Sequence, residues 1–419
     1  MVKRIVVSLL VTAFMVSAAW SQEAGPPPGF DSWDAVLEEA RGQTLNWNLW
    51  GGSNEINRFL DEVYGQVLRD EFGVRLNRVP LADTADAVNQ VLSEVAAGRG
   101  TEGGSVDLIW INGENFKTLK QADLLYGPFA QNVPNTIYVD WDNPTVTNDL
   151  GLQTDHYEIP WASFPFQWIY DTMRIDEEDL PRSYAELAAW MRENPGRFTY
   201  IAPGPGAFQG TRVVKQLMLE MCGGFDAFGE VFSQELYDEC APRVWDELNS
   251  WKPYMWRNGE TYPADENELD SLFANGEIDF TLTQRGGGAT SGIAAGDIPP
   301  TSSAFLFDEN MIGGYSYLAI PINASNKAAA LVMANLLVRP DMQARQLLPD
   351  TIGFALGIDV ARVTDPADRA LIDEATATAM ASGAADPADF GAIVPDIHNE
   401  YHGRVESDWE RCVLRNACN

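Results

Sequence analysis

The sequence predicts an α/β protein of two lobes, each a mainly parallel sheet flanked by helices. Three observations carry this expectation. Apolar strand-like runs alternate with amphipathic helical runs, the rhythm of strand–helix–strand crossovers. The alternation occurs twice, separated by a polar stretch from Tyr126 to Glu158. A chain of 419 residues also exceeds what one hydrophobic core ordinarily organises.

The elements follow in order. The chain opens MVKRIVVSLLVTAFMVSAAWSQ, with Lys3 and Arg4 as a basic start, an apolar run from Ile5 to Val16, and small residues up to Ser21. This pattern predicts a cleaved secretory signal over residues 1–21, because the apolar run is short for a membrane span. No cysteine stands at the expected cleavage site, so lipid attachment there is not expected. A proline-rich lead-in, Gly25 to Gly29, precedes a short helix around Trp33 to Arg41. Strand LNWNLW, helix Glu55 to Phe72, strand VRLNRVP, helix Ala85 to Ala97 and strand VDLIWI complete the first set. After YEIPWASFPFQWIYD comes the second set: helix Ser183 to Glu193, strand RFTYIA, helices Thr211 to Cys222, Tyr237 to Trp251 and Glu266 to Ala274, and strand IDFTLT. SYLAIPINAS and the alanine-rich helix Asn326 to Leu337 open a third segment. The expected divisions are 22–165 for the first part of lobe one, 166–304 for lobe two, and 305–419 for the return to lobe one with the C-terminal helices. Crossings near Trp161 to Tyr170 and Ser303 to Ser316 would form the hinge.

Charge and cysteines narrow the function. With 61 acidic against 28 basic residues the net charge is −33, the wrong sign for a nucleic-acid partner. Four cysteines in an exported chain read as two local disulfides, Cys222 with Cys240 and Cys412 with Cys418. The run HNEYH places His398 and His402 four apart, but its glutamate stands in the wrong place for the zinc motif it resembles, so no metal is expected. His156 has no evident nucleophile partner and there is no GxSxG elbow. No catalytic residue and no cofactor is expected.

The candidate residues are those of a binding site. The turn Trp50, Gly51, Gly52, Ser53 and Asn54 brings an aromatic face and a helix N-terminus to the end of the first strand, the edge at which α/β sheets bind ligands. Asn112, Glu114 and Asn115 follow strand VDLIWI in the same way. In APGPGAFQGT, Gly206, Phe208, Gln209 and Thr211 lead from a glycine-proline turn into a helix. Trp110, Trp161, Phe164 and Trp168 also lie at strand ends or connections. Each alone is an ordinary core residue, but together they form the aromatic wall that holds flat or cationic organic groups. Arg285 suits an acidic group on the ligand. Tyr315 and Tyr317, alternate residues of one extended run, point to the same side.

The segments NLWGGSNEINRFLDE, VDLIWINGENF, YEIPWASFPFQWIYD, LFANGEIDFTLT and YSYLAIPINASNKAAALVMANLLVRPDMQARQ resemble the periplasmic solute-binding proteins of ABC importers. They are nearest to the branch of iron-, thiamine- and polyamine-binding proteins, and within it to the YnjB-type proteins. The resemblance implies the type II periplasmic binding protein fold, with a ligand cleft at the hinge. It also implies a monomer in the periplasm, with a small solute and the ABC permease and ATPase subunits as partners. Iron-binding members carry adjacent tyrosines; here Ser316 separates Tyr315 from Tyr317, which speaks against ferric iron. The expected solute is a small organic molecule with a cationic or aromatic part. A secreted enzyme acting on a small substrate, or a sensor on the same fold, is the alternative.

Overall fold

In the computed structural model, the described residues are 25–51, 53–81, 83–111, 113–204, 207–229, 231–386 and 393–418. The expected signal segment, and Gly52, Asn112 and Gly206 among the expected site residues, lie outside them. The first set of alternating runs folds as read. Strands β1 (Thr44–Trp50), β2 (Arg75–Leu81) and β3 (Leu108–Ile111) are separated by helices, and β1 pairs in parallel with both others. After a two-residue hairpin of β4 (Asn148–Asp149) and β5 (Leu152–Gln153), the chain enters β6 (Glu158–Ser163) and β7 (Gln167–Asp171). Later strands are β8 (Phe280–Thr283), β9 (Ser302–Phe305), β10 (Met311–Gly313), β11 (Tyr315–Ala319), β12 (Ala355–Leu356) and β13 (Ile393–Pro395).

A six-stranded sheet has the order β12-β6-β11-β3-β1-β2, and a three-stranded sheet the order β8-β7-β9. Within these two sheets, parallel pairing holds only for β1, β2 and β3. β11 runs against both β3 and β6, β12 against β6, and β7 against both its neighbours. The reason is the crossing: β11 enters the first sheet from the hinge side and so runs opposite to strands that end there. The expected strand RFTYIA is extended but joins no ladder. Arg197 accepts from Asp279 N (2.9 Å), Phe198 from Trp256 N (2.8 Å), and Ala202 donates to Pro263 (2.9 Å). Its Phe198, Tyr200 and Ile201 are nevertheless fully buried, so the apolar pattern reported burial rather than pairing.

Three cores hold the sheets. One face of the six-stranded sheet buries Trp47, Tyr64 and Trp161 against the helix Lys327–Leu337, whose alanines leave room for close approach. The other face buries Val91, Ile109, Phe116 and Tyr317. The third core surrounds the three-stranded sheet and includes Trp168, Tyr184, Tyr200 and Trp251. That core also contains Phe305, Phe307 and Ile312, and from the C-terminal segment Ile397, Tyr401, Val405, Trp409 and Val413. The expected assignment of 305–419 to lobe one is therefore corrected: its first residues and its last twenty or so pack in lobe two.

Between the lobes the chain crosses three times rather than twice. Phe164 N donates to Gly314 O (2.8 Å) and Phe166 N to Ile312 O (3.2 Å), and β13 adds in parallel to β10. The three crossings make a hydrogen-bonded ribbon. Beside it, the loop after β8 lies on β12 so closely that a Cβ on Gly286 would sit 2.3 Å from Ala355 N; only glycine fits there. Both expected disulfides are present. Cys222–Cys240 joins the helices Phe208–Cys222 and Gln234–Trp251, and Cys412–Cys418 closes a short C-terminal loop. No described helix is long and apolar enough to cross a membrane.

Candidate functional site

The parallel strands β1 and β3 end at the ribbon, and there a cavity of about 340 Å³ opens between the lobes. From the first lobe come Trp110 and Ile111 at the end of β3, Gly113 and Glu114 at the start of the helix Gly113–Gln121, and Asn148, Asp149 and Leu150. The ribbon supplies Phe164, Gly313, Gly314, Tyr315 and Ser316 as the back. The second lobe contributes Phe208 and Arg212 on the helix Phe208–Cys222, Gln284 just after β8, and Asp396 just after β13. Ser163 and Pro165, which flank Phe164, line a second cavity of about 380 Å³ instead, because neighbours along an extended chain face opposite sides. Asp140 and Asp359 in that second cavity are both taken up by Arg362 (2.6 and 3.5 Å).

Aromatic rings in the first cavity are held in place. Trp110 Nε1 donates to Ser316 Oγ (2.8 Å), and its ring meets those of Trp161 and Phe354 edge-on at 5.1 and 6.1 Å. Phe164 packs on Phe354 at 5.3 Å. Phe208 is 40% exposed and rests on His402, 4.9 Å behind it.

The two walls differ in charge. On the first-lobe wall Glu114 is exposed, while the Asp149 carboxyl is pushed up to about 8 by burial and by the charge of Asp396, against the pull of Arg212. Behind it Glu158 is fully buried with no partner on either carboxylate oxygen; burial, then Asp149, raises it well above the ordinary range. On the second-lobe wall Arg212 reaches Asp396 through Nε (3.3 Å) and donates from Nη1 to Gln284 Oε1 (2.5 Å). Lys215, buried behind, hydrogen-bonds the same Asp396. Burial would raise Asp396, but the charges of Lys215 and Arg212 hold it below its ordinary value. His402 is pushed down to about 4 by burial and by Lys215, against Asp396.

Of the residues expected from the sequence, Trp110, Glu114, Phe164, Phe208 and Tyr315 line the cavity. Burial pushes the Tyr315 hydroxyl up to about 12. The turn at Trp50 is a tight strand–helix connection. Gly51 N donates to Leu81 O (3.0 Å), a Cβ on Gly51 would come within 2.5 Å of Pro80 Cβ, and Ser53 Oγ caps the helix beginning at Asn54 by accepting from Ile56 N (3.2 Å). Trp50 is 45% exposed and is not in the lining, nor is the half-buried Asn115.

Six expectations are corrected. Trp161 is fully buried against Trp47 and Trp110, Trp168 is buried against Phe198 and Phe307, and Tyr317 turns its hydroxyl to Thr145 O and Val146 O. Every residue of β6 and β7 is buried, so their aromatics serve the cores. Thr211 is buried and donates to Glu406 (3.2 Å), Gln209 donates to Glu266 (3.2 Å), and Arg285 pairs with Glu266 (3.5 Å) outside the cavity. The arginine of the cavity is Arg212. It escaped the sequence reading together with Asp149, Gln284 and Asp396, although its position four residues after Phe208 puts both on one helix face. His398 caps its own helix, its Nδ1 accepting from Glu400 N (3.1 Å), and His402 pairs with Glu406 (3.0 Å). Among the described residues no three His, Cys, Asp or Glu side chains group to hold a metal.

Residues 66–357 match the family of bacterial extracellular solute-binding proteins. Protein YnjB of Escherichia coli (strain K12) is 35% identical over 377 residues, 90% of this chain and 92% of that protein. Among solved structures, the substrate-binding protein PotD of a spermidine/putrescine ABC transporter from Streptococcus pneumoniae superposes with a TM-score of 0.57 at 12% identity, covering 87% of this chain and 97% of that one. The Trichodesmium protein IdiA (FutA), in complex with iron and citrate, superposes with a TM-score of 0.55 at 10% identity, covering 88% and 99%. At such identities these structures establish the type II two-lobe fold and nothing finer. Taken with the interlobe cavity, the matches identify the chain as a member of the bacterial extracellular solute-binding protein family.

Proposed function

We propose that this protein captures a small organic solute with a cationic or aromatic part in the interlobe cavity, and hands it to a membrane permease driven by an ATPase. The observation that carries the reading is the lining: Trp110, Phe164, Phe208 and Tyr315 surround the space, and Glu114 and Asp149 stand on one wall. Aromatic faces attract a desolvated cation electrostatically, and carboxylates complete its coordination. The spermidine/putrescine carriers among the structural relatives support a cation. Removal of a signal over residues 1–21 would deliver the chain as a monomer to the periplasm. A solute that touches both walls binds the closed arrangement more tightly and so favours it.

The test is a thermal-shift screen of organic cations, followed by calorimetry on any hit. Native-state binding raises the melting temperature by mass action. Glu114→Gln should weaken the hit, and Trp110→Ala should weaken it by about 1–2 kcal/mol. A hit whose affinity is indifferent to both changes, or a screen in which only anions bind, would refute the assignment.

A further inference from the structure

The second-lobe wall carries hydrogen-bond donors that the protein does not use. Arg212 commits Nε to Asp396 and Nη1 to Gln284 Oε1, while its Nη2 has no acceptor among the described residues. Because Arg212 donates into Gln284 Oε1, the orientation of that amide is fixed and its Nε2 is turned elsewhere. This Nε2 is sealed from water and has no partner. Sealed in this way, Nε2 does not meet the cavity; the donor left for a solute is Nη2 of Arg212, which lines the space. The helix that carries Arg212 begins beside it at Phe208. Its N-cap, Ala207, supplies no side-chain acceptor, so the positive end of a 15-residue helix faces the same region.

We infer that the solute also carries an anionic group, a carboxylate or phosphate, received by Arg212 Nη2. This rests on the cation reading above and narrows it to a zwitterion. The charges around the wall are consistent with it. Asp396 is shared between Arg212 and Lys215, and Glu406 is engaged by Thr211 and His402 away from the cavity. The negative charge facing Arg212 across the space belongs to the other lobe, in the exposed Glu114, with the mostly protonated Asp149 beside it. A zwitterion would lay its cation on Glu114 and its anion on Arg212. Each end then satisfies a different lobe, and neither a simple cation nor a simple anion does both. An added anion also replaces the bulk water that Arg212 would otherwise keep, which makes the interaction charge-assisted and short.

Two matched sets of probes test this by calorimetry. One is tryptophan, tryptamine and indole-3-propionate; the other is phosphocholine, choline and inorganic phosphate. The zwitterion of at least one set should bind about tenfold or more tightly than its cation, the worth of a charge-assisted hydrogen bond. Which set responds tells carboxylate from phosphate. Arg212→Gln should bring the ratio of zwitterion to cation affinity down from about tenfold to about one. Arg212→Lys keeps a charge beside Asp396 but loses the free Nη2 donor, and should also weaken the zwitterion selectively, which guards against an Arg212→Gln variant that misfolds. Cations that bind as well as their zwitterions, or zwitterions indifferent to both substitutions, would overturn the inference and leave the cation reading standing. Anions that bind alone, with cations inert, would overturn the cation reading as well. Silence from both sets would count against both.

Discussion

The wall built on the six-stranded sheet and the wall built on the helix Phe208–Cys222 enclose one cavity but hold their polar groups differently. On the first, Glu114 is exposed and makes no side-chain hydrogen bond with a described residue, and Asp149 Oδ2 is buried without a partner. The order of that wall comes from packing: Trp110 is fixed by Ser316 and by the rings of Trp161 and Phe354. On the second, Arg212, Lys215 and Asp396 form one buried network, and Thr211, His402 and Glu406 another beside it. Polar groups on the first wall are thus available to a ligand, whereas most on the second also hold the lobe together. Substitutions on the two sides should separate affinity from stability.

The largest effect is expected on the second wall. Asp396→Asn leaves Arg212 and the 1%-exposed Lys215 without their carboxylate, and breaking a buried pair in this way costs about 3–5 kcal/mol. Urea unfolding would measure it; a loss below about 1 kcal/mol would mean that the network behaves as a surface pair. Behind the first wall, Trp161→Ala removes a fully buried ring and should cost about 3–5 kcal/mol of stability. Trp110→Ala, one strand position from solvent, should instead act mainly on solute affinity. If the two tryptophans behave alike in both assays, the division between core and lining is wrong. The remaining effect is that of pH. The raised Asp149 carboxyl, about 8 against an ordinary 3.8, contributes stability that is complete below the ordinary value and is lost as pH rises towards 8. In that window its part of the slope is at most about 1.4 kcal/mol per pH unit. Asp149→Asn should flatten the fall of unfolding free energy between pH 5 and pH 8, and an unchanged slope would place the titration elsewhere.

Much of this architecture is legible in the sequence because periodicity reports burial. The β1–β2–β3 unit, the capped turn at Ser53, both disulfides and the two crossings near Phe164 and Gly314 follow from local pattern. What periodicity cannot give is the side a residue faces when every position of a strand is buried, as in β6 and β7. Hence Trp161 and Trp168 read as cleft residues, while Phe164, lying between those strands, does line the cavity. The choice of Arg285 over Arg212 has a similar cause: a charge just before a run of glycines attracts notice, whereas one inside a helix looks like a solvated face. Asp396 reaches the cavity only because β13 adds to β10, a pairing between residues some eighty positions apart. No local signal encodes that contact.

The third crossing has a consequence for the life of the chain before it is folded. Ile397, Tyr401, Val405, Trp409 and Val413 complete the core around β7, β8 and β9, strands that all end before Leu306 and so are made well earlier in synthesis. A nascent chain has no means of closing that core until these side chains have been made, and the loop closures involved are among the slowest to form. Until then the lobe is an open, threadable polymer with its aromatic interior exposed, a substrate for a holding chaperone and for a translocation channel.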